Sequence, residues 1–304
     1  MKFVNSNKAR LVEKETPYIS FPVLEQYSHM IRHGFSTRLG GVSEGHFSSL
    51  NLSFSRGDEE EKVRENFKRI SESMGIDPNH LVISDQVHKT NIRAVTKEDW
   101  GKGFTKPRDY AEIDGLITNE VGVPLVTAYA DCVPLYFLDP VKKAIGLTHS
   151  GWRGTVEKIG KKTVEEMQKQ YLCDPKDIVA VIGPSICEDC YEISKEVAEK
   201  FIEAFSYLNQ VETSCENEKV TSLEQIVQTQ EEYYNKRHCK AIAGKDKYQL
   251  NLWNANYAIL REAGLLPENI HSSEVCTCCN FELLFSHRAS NGLRGGLCAF
   301  LELA

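Results

Sequence analysis

The spacing of apolar residues along the chain predicts several amphipathic helices. In residues 61–74, apolar side chains recur every three or four positions, which places them on one helical face. Gly75 follows this run, and glycine commonly ends a helix because it adopts the left-handed conformation without strain. The same period predicts a helix over 155–171 and another over 251–263, which Gly264 ends. A further helix is predicted to begin after Ser194, which would be its N-cap.

Short apolar runs between turn residues predict strands, which do not alternate strictly with the helices. This order is typical of an α+β fold with mixed sheets. No repeat or linker divides the chain, so we expect a single domain over residues 1–304, with a polar, exposed excursion near 209–247. The predicted strands cover 81–84, 91–96, 123–130, 134–138, 144–149, 178–182, 281–286 and 297–302.

Composition narrows the class of protein. Hydrophobic residues make up 41% of the chain and its net charge is −7, which excludes a mainly disordered chain and a basic nucleic-acid binder. Prolines and Asp131 interrupt the longest apolar stretch, at 121–138, so it predicts buried strands and no membrane partner. The N-terminal segment lacks the apolar core of a signal peptide, and the ten cysteines are irregularly spaced. We therefore expect reduced thiols and a cytoplasmic location.

Three segments each carry a potential metal ligand beside turn residues, namely His88, Cys132 and His149. Zinc takes histidine nitrogen and cysteine sulfur, and a catalytic zinc keeps three protein ligands and one open position. The run from 132 to 149 reads as a β-hairpin with a turn after Asp139. A four-residue loop would place His149 opposite Pro134 and diagonal to Cys132, and a two-residue loop would place Cys132 directly opposite His149. A loop of odd length would put the two residues on different faces.

The turn after His149, Ser-Gly-Trp-Arg-Gly, opens a helix and contributes Arg153. Backbone N–H groups and a guanidinium at this position favour an oxyanion or phosphate beside the metal. The plainer interpretation stays open, because a single histidine in a loop is usually a surface residue and a single cysteine usually packs in a core. Asp131 argues against that interpretation, since an unpaired carboxylate does not belong in a buried strand.

An ordered set of motifs resembles the laccase-domain family, which carries a polyphenol oxidase label and is also recognised as a purine nucleoside phosphorylase family. The resemblance covers about residues 20–303. The matching motifs are TRLGGVS (37–43), LNL (50–52), DQVH (85–88), DG (114–115), ADCVP (130–134), HSGWRG (149–154), IGPSI (182–186), CYEI (190–193), NLW (251–253) and FSHR (285–288).

The resemblance implies a layered α/β/β/α sandwich with mixed sheets and a zinc ion on His88, Cys132 and His149. It implies phosphorolysis of adenosine, inosine, guanosine and methylthioadenosine, and deamination of adenosine. Purine nucleosides and inorganic phosphate would then be the partners. Arg38 matches an arginine of the family's Thr-Arg-x-Gly-Gly motif and is a candidate anion binder with Arg153. The matched motifs also supply the substrate-binding candidates Asn51, Asp131 and Glu192.

Two other chemistries use the same residues. A blue-copper centre binds copper through two histidines and a cysteine, so a copper-dependent polyphenol oxidase is one alternative. The sequence contains no His-x-His pair of the kind that a multicopper cluster requires. A metal-free hydrolase with a Cys132–His149 pair is the second alternative. A protein that only binds its ligand would leave Asp131 and the basic turns without a role.

The cysteines at 276, 278 and 279 form a separate cluster in the sequence. A structural zinc site there would need a fourth ligand, such as His271 or His287, and adjacent cysteines do not easily share one ion. We therefore predict reduced thiols with a packing role at this position, and the sequence alone gives no role to Cys187 and Cys190.

Overall fold

A computed structural model describes residues 2–210, 222–229 and 246–304. The described helices are α1 (Pro22–Glu25), α2 (Glu60–Met74), α3 (Trp152–Val156), α4 (Ile159–Tyr171), α5 (Lys195–Ala204) and α6 (Leu252–Glu262). The described strands are β1 (Arg10–Val12), β2 (Tyr18–Ser20), β3 (Ile31–Ser36), β4 (Val82–Ile83), β5 (Ile92–Ala94), β6 (Gly115–Thr118), β7 (Leu125–Tyr129), β8 (Val133–Asp139), β9 (Ala144–Ser150), β10 (Val179–Ile182), β11 (Glu192–Ser194), β12 (Val227–Thr229), β13 (Lys247–Leu250), β14 (Ile270–Ser272) and β15 (Leu297–Leu303).

Two six-stranded mixed sheets form the centre of the fold. The first sheet has the order β1-β2-β3-β15-β7-β4, and only its β4–β7 pair is parallel. The second sheet has the order β14-β10-β8-β9-β6-β5, with parallel pairs at both edges. The α+β prediction with mixed sheets is therefore confirmed.

Successive side chains along a strand point to opposite faces of its sheet, and this alternation produces the layers of the fold. In β8, Tyr136 and Leu138 pack between the two sheets, whereas Leu135 and Phe137 pack on the opposite face. That opposite face is covered by α4, α5 and α6, while α2 covers the outer face of the first sheet through its apolar residues. The result is the α/β/β/α layering that the resemblance implies.

The β8–β9 hairpin has one of the registers that the sequence left open. Asp139 pairs with Ala144, and Pro134 pairs with His149, so the loop contains four residues. Asp139 Oδ1 accepts hydrogen bonds from the N–H groups of Val141 and Lys142, which stabilises the turn. The even loop length keeps Cys132 and His149 on one face, as the hairpin argument required.

Other elements differ from the prediction. The helix expected over 155–171 is two helices, because Lys158 adopts a left-handed conformation with φ of 59° between α3 and α4. The strand expected over 281–286 is a series of turns. Leu284 and Phe285 are nevertheless buried, so the apolar pattern there correctly indicated burial but not strand pairing.

Part of the predicted excursion near 209–247 lies within the described residues. Residues 209 and 210 end a short 3-10 helix, and residues 222–229 and 247 belong to a second short 3-10 turn and to β12 and β13, which form a third, antiparallel sheet with β11. Residues 211–221 and 230–245 lie outside the described residues. No helix in the described ranges has the length and apolar character needed to cross a membrane.

Candidate metal centre and its cavity

His88, Cys132 and His149 come together as predicted. Their potential ligand atoms all lie within 4.8 Å of one another, and Cys132 Sγ is 3.9 Å from His88 Nε2. The two imidazole rings meet edge to face, with centroids 4.8 Å apart. Three segments that are distant in the sequence thus present two nitrogens and one sulfur to the same point.

Each ligand sits where a strand meets a turn. His149 is the sixth residue of β9, and Cys132 directly precedes β8. Asp131 has φ of 86° and His88 has φ of 63°, so the backbone beside or at two of the ligands is in the left-handed region. Residues other than glycine rarely adopt this conformation, and it persists where surrounding contacts impose it.

Asp114 provides those contacts for His88 and His149 together. Its carboxylate accepts hydrogen bonds from the N–H groups of Val87, His88 and Lys89 at 3.1, 3.0 and 2.9 Å. Its Oδ1 also lies 2.8 Å from His149 Nδ1. One buried carboxylate therefore orients two ligands and leaves the Nε2 atom of His149 for a metal. The sequence placed Asp114 in a motif but gave it no role.

Gly151 makes the close approach of the ligands possible. A Cβ atom at this position would lie 2.8 Å from His88 Cδ2 and 3.2 Å from Cys132 Sγ. These distances are too short for ordinary van der Waals contact, so a larger residue would displace the ligands. The glycine of the predicted turn thus has a packing role beside the metal centre.

The electrostatics favour a thiolate at Cys132. Burial raises the pKa of the Cys132 thiol, but the charges and hydrogen bonds of His149 and His88 outweigh burial and lower its pKa to about 6. Burial lowers the pKa of His149, but the Cys132 thiolate and Asp114 outweigh it and raise the pKa to about 9. The thiolate is the form of cysteine that binds metals.

The donor set fits zinc. With Zn–S of about 2.3 Å and Zn–N of about 2.1 Å, tetrahedral ligand atoms lie roughly 3.6 Å apart. The Sγ–Nε2 separation of 3.9 Å is close to this value. Two imidazoles and one thiolate would leave a bound zinc ion with room for a further ligand, as in catalytic zinc sites with three protein ligands.

The three ligands line a cavity of about 1090 Å³. This is slightly above the usual size range of small-molecule sites and is large enough for two reactants. Aromatic side chains line it together with basic ones. The aromatic lining residues are Phe54, Phe67, Phe104, Tyr129, Trp152 and Tyr191, and the basic ones are Arg56, Arg64, Lys106, Arg108, Arg288 and Arg294.

Arg294 is the basic residue that is best placed to meet an anion. Burial lowers its pKa to about 10, the nearby Arg56 adds to this decrease, and Asp131 and Cys132 oppose it. Its Nε is buried and has no hydrogen-bond partner among the described residues. A half-buried guanidinium whose Nε is an unused donor, beside a second arginine, favours a bound anion. The sequence analysis missed both arginines, because only the folded chain brings 56 and 294 together.

The substrate-binding candidates from the sequence have different positions. Asp131 lines the cavity and accepts hydrogen bonds from Thr277 Oγ1 at 2.6 Å and Arg288 N–H at 2.7 Å. Arg153 is exposed and stacks on the ring of Trp152 at 4.3 Å, which places it beside the lining.

The structure does not bring Arg38, Asn51 or Glu192 into the cavity lining. The Arg38 guanidinium donates three hydrogen bonds to the carbonyls of Ser48 and Phe281, so its charge holds two loops together. Asn51 is buried, and its Oδ1 accepts the N–H of Gly296 at 2.8 Å. Glu192 forms an ion pair with Lys247 on the third sheet. These contacts give the three residues supporting positions next to loops and strands, and their role in anion or substrate binding stays a prediction.

Comparison with known proteins identifies the family. Residues 32–304 match the family model described as multi-copper polyphenol oxidoreductase laccase, so the chain belongs to this laccase-domain family. It is 35% identical to the purine nucleoside phosphorylase YlmD of Bacillus subtilis over 274 residues, covering 89% of this chain and 87% of the relative.

Solved structures have the same fold. The crystal structure of the Bacillus licheniformis hypothetical protein YfiH superposes with a TM-score of 0.81 at 30% identity, covering 98% of this chain and 100% of that one. YlmD from Geobacillus stearothermophilus gives a TM-score of 0.80 at 30% identity, covering 96% of this chain and 98% of that one. The expected family resemblance is confirmed.

Proposed function

We propose that the protein is a zinc-dependent purine nucleoside phosphorylase that acts on adenosine, inosine, guanosine and methylthioadenosine and also deaminates adenosine. The observation that carries the proposal is the convergence of a His–Cys–His ligand set and a pair of arginines in one cavity. The names of the similar proteins point in the same direction. No other ligand group that contains histidine forms among the described residues.

In phosphorolysis, a phosphate oxygen forms a bond to C1′ of the ribose while the bond from C1′ to the purine nitrogen breaks. Arg294 and Arg56 bind and orient the phosphate, since a guanidinium can donate two parallel hydrogen bonds to its oxygens. Arg153 contributes a further positive charge beside Trp152. Correct orientation of two reactants in one cavity accounts for much of the rate enhancement in such displacements.

The aromatic lining binds the nucleoside. Tyr191 and Trp152, which line the cavity together with the metal ligands, offer flat surfaces for a purine, and Phe54 is a further aromatic lining residue. Bound zinc supplies Lewis acidity, which lowers the pKa of water and suits the deamination of adenosine. His88, Cys132 and His149 would hold the ion, and Asp114 would keep both histidines oriented.

We also propose a cytoplasmic location, supported by the state of the cysteines. No disulfide forms among the described cysteines. A reducing compartment keeps cysteines free of disulfides.

The test compares wild-type protein with His149→Ala on adenosine and inosine, with and without phosphate, with the products separated by chromatography. The wild type should release base from inosine in a manner that saturates with phosphate, and it should convert adenosine to inosine. Loss of His149 should abolish both reactions, whereas His29→Ala, at an exposed histidine, should leave both unchanged. Full activity in His149→Ala would place the chemistry elsewhere.

The same preparations separate the alternatives. A copper oxidase would consume oxygen with a phenol and ignore phosphate. A Cys132–His149 hydrolase would remain active after the metal is removed with a chelator. We expect no oxygen consumption and a loss of phosphorolysis on chelation that added zinc restores.

A further inference from the structure

Four cysteines from two distant loops meet at a second point in the fold. Cys187 and Cys190 come from the loop after β10, and Cys276 and Cys279 come from the loop after β14. Each loop contributes a Cys-x₂-Cys pair. All four Sγ atoms lie within 4.8 Å of one another, and none of these residues lines the cavity described above.

The sulfur spacing matches a tetrahedral metal site. Four thiolates at a Zn–S distance of about 2.3 Å are roughly 3.8 Å apart along each edge of the tetrahedron. The Sγ–Sγ distances are 3.9 Å for Cys187–Cys279 and 3.5 Å for Cys190–Cys279. A disulfide would require about 2.05 Å. The sulfur–sulfur distances are thus those expected for ligands of one ion and are too long for disulfide bonds.

Backbone donors in the two loops support thiolates. Cys276 Sγ accepts N–H hydrogen bonds from Cys279 in its own loop and from Cys187 in the other loop, both at 3.3 Å. The Arg288 guanidinium donates to the carbonyl of Cys190 at 3.0 Å, which places a positive charge beside the cluster. These groups offset the negative charge that four thiolates around a divalent ion would carry.

We propose that Cys187, Cys190, Cys276 and Cys279 bind one structural zinc ion, separate from the ion at His88, Cys132 and His149. A closed set of four thiolates is typical of structural zinc. This proposal corrects the sequence-based prediction of reduced thiols at 276–279. Cys278 is not a member of the cluster, and the ligands missing from the sequence analysis come from 187 and 190 instead of a histidine.

The zinc would fix one wall of the cavity. Thr277 lies between two residues of the cluster loop, and its hydroxyl donates to Asp131 at 2.6 Å, next to the ligand Cys132. Tyr191 follows Cys190 directly and lines the cavity. An ion that joins the two loops therefore supports the position of both residues without touching the substrate.

Native mass spectrometry and metal analysis of the purified wild-type protein test the proposal. We expect two zinc ions per chain. Cys279→Ser and Cys187→Ser should each retain one, and His149→Ala should also retain one. Cys278→Ser, the matched control in the same loop, should retain two.

X-ray absorption at the zinc edge provides a second measurement that does not depend on a cysteine variant. In His149→Ala, the remaining zinc should have four sulfur neighbours at about 2.3 Å. One zinc in the wild type that is lost in His149→Ala would overturn the second site and leave the proposed function intact. A disulfide among the four cysteines in non-reduced peptide maps would also overturn it.

A third outcome is a single zinc ion in the wild type that is lost in Cys279→Ser and retained in His149→Ala. The thiolate site would stand, and the proposed catalytic centre would fail. The two hypotheses are thus separable in the same set of proteins.

Discussion

The Nδ1 atom of His149 lies 2.8 Å from Asp114 Oδ1, and both side chains are buried. The same carboxylate holds the backbone of the loop that carries His88. Asp114 is therefore a positioning residue for two candidate metal ligands. Such partners commonly contribute tenfold or more to metal affinity.

We predict that Asp114→Asn weakens zinc binding at the His88–Cys132–His149 centre by about 10- to 100-fold. The amide can no longer act as an anionic acceptor for one imidazole and three backbone donors. Competition with a chromophoric chelator measures the affinity. Glu112→Gln, an exposed carboxylate two residues away, is the control and should retain wild-type affinity. Equal affinities in the two variants would contradict the prediction.

We predict that Gly151→Ala lowers kcat/KM for inosine by about 100-fold, because a shift of about 1 Å at a catalytic centre has an effect of this size. The added methyl group would press on His88 and Cys132. Gly154→Ala, in the same turn, meets its nearest neighbour at 3.4 Å and should be tolerated better. Steady-state kinetics and zinc content of both variants check the result. Unchanged kcat/KM and zinc content in Gly151→Ala would contradict the prediction, because they would show that His88 and Cys132 have room for the methyl group.

We predict that Arg294→Met raises KM for phosphate by about tenfold or more, since a hydrogen bond to a charged group contributes about 1.5–3 kcal/mol. Zinc content should remain at the wild-type level, because Arg294 does not belong to either metal cluster. Arg69→Met removes an arginine from the surface of α2, where it pairs with Glu65, and is the control. Arg38→Met should affect stability more than KM, because its guanidinium joins two loops.

We predict that Cys132 in the metal-depleted protein reacts with iodoacetamide with a midpoint near pH 6, below the ordinary thiol value of 9.0. A lowered pKa means that the thiolate is present above about pH 6, and alkylation slows as the pH falls through that value. Peptide mass spectrometry resolves each site. Cys298 is buried with a raised pKa and should stay unmodified, and added zinc should protect Cys132. A midpoint near pH 9 would contradict the prediction.

Local chemistry explains what the sequence predicted well. The Asp139-Pro140 pair predicted a turn between β8 and β9, and the observed loop of even length places Cys132 and His149 on a common face. The apolar period of residues 61–74 predicted helix α2, and Gly75, whose φ is 73°, ends the helix as expected. These features depend on neighbours that are close in the sequence.

The missed features depend on contacts between distant segments. Arg56 and Arg294 have no local signal, and Asp114 acquires its role only when two other loops reach its carboxylate. The two Cys-x₂-Cys pairs were visible in the sequence, but their meeting depends on the parallel pairing of β10 with β14. The turns at 281–286 share the apolar content of a strand, and only the absence of a pairing partner in the described fold distinguishes them.

Strand β15 lies in the middle of the first sheet, between β3 and β7, which do not pair with each other. Both neighbours are synthesised long before residues 297–303. During translation, the edges of β3 and β7 that β15 later covers therefore remain unpaired. Unpaired strand edges of this kind are open to association with other chains and to chaperones. Cys132 lies three residues after the end of β7. A chain that stops before residue 297 would therefore leave the strand beside this candidate ligand paired only with β4.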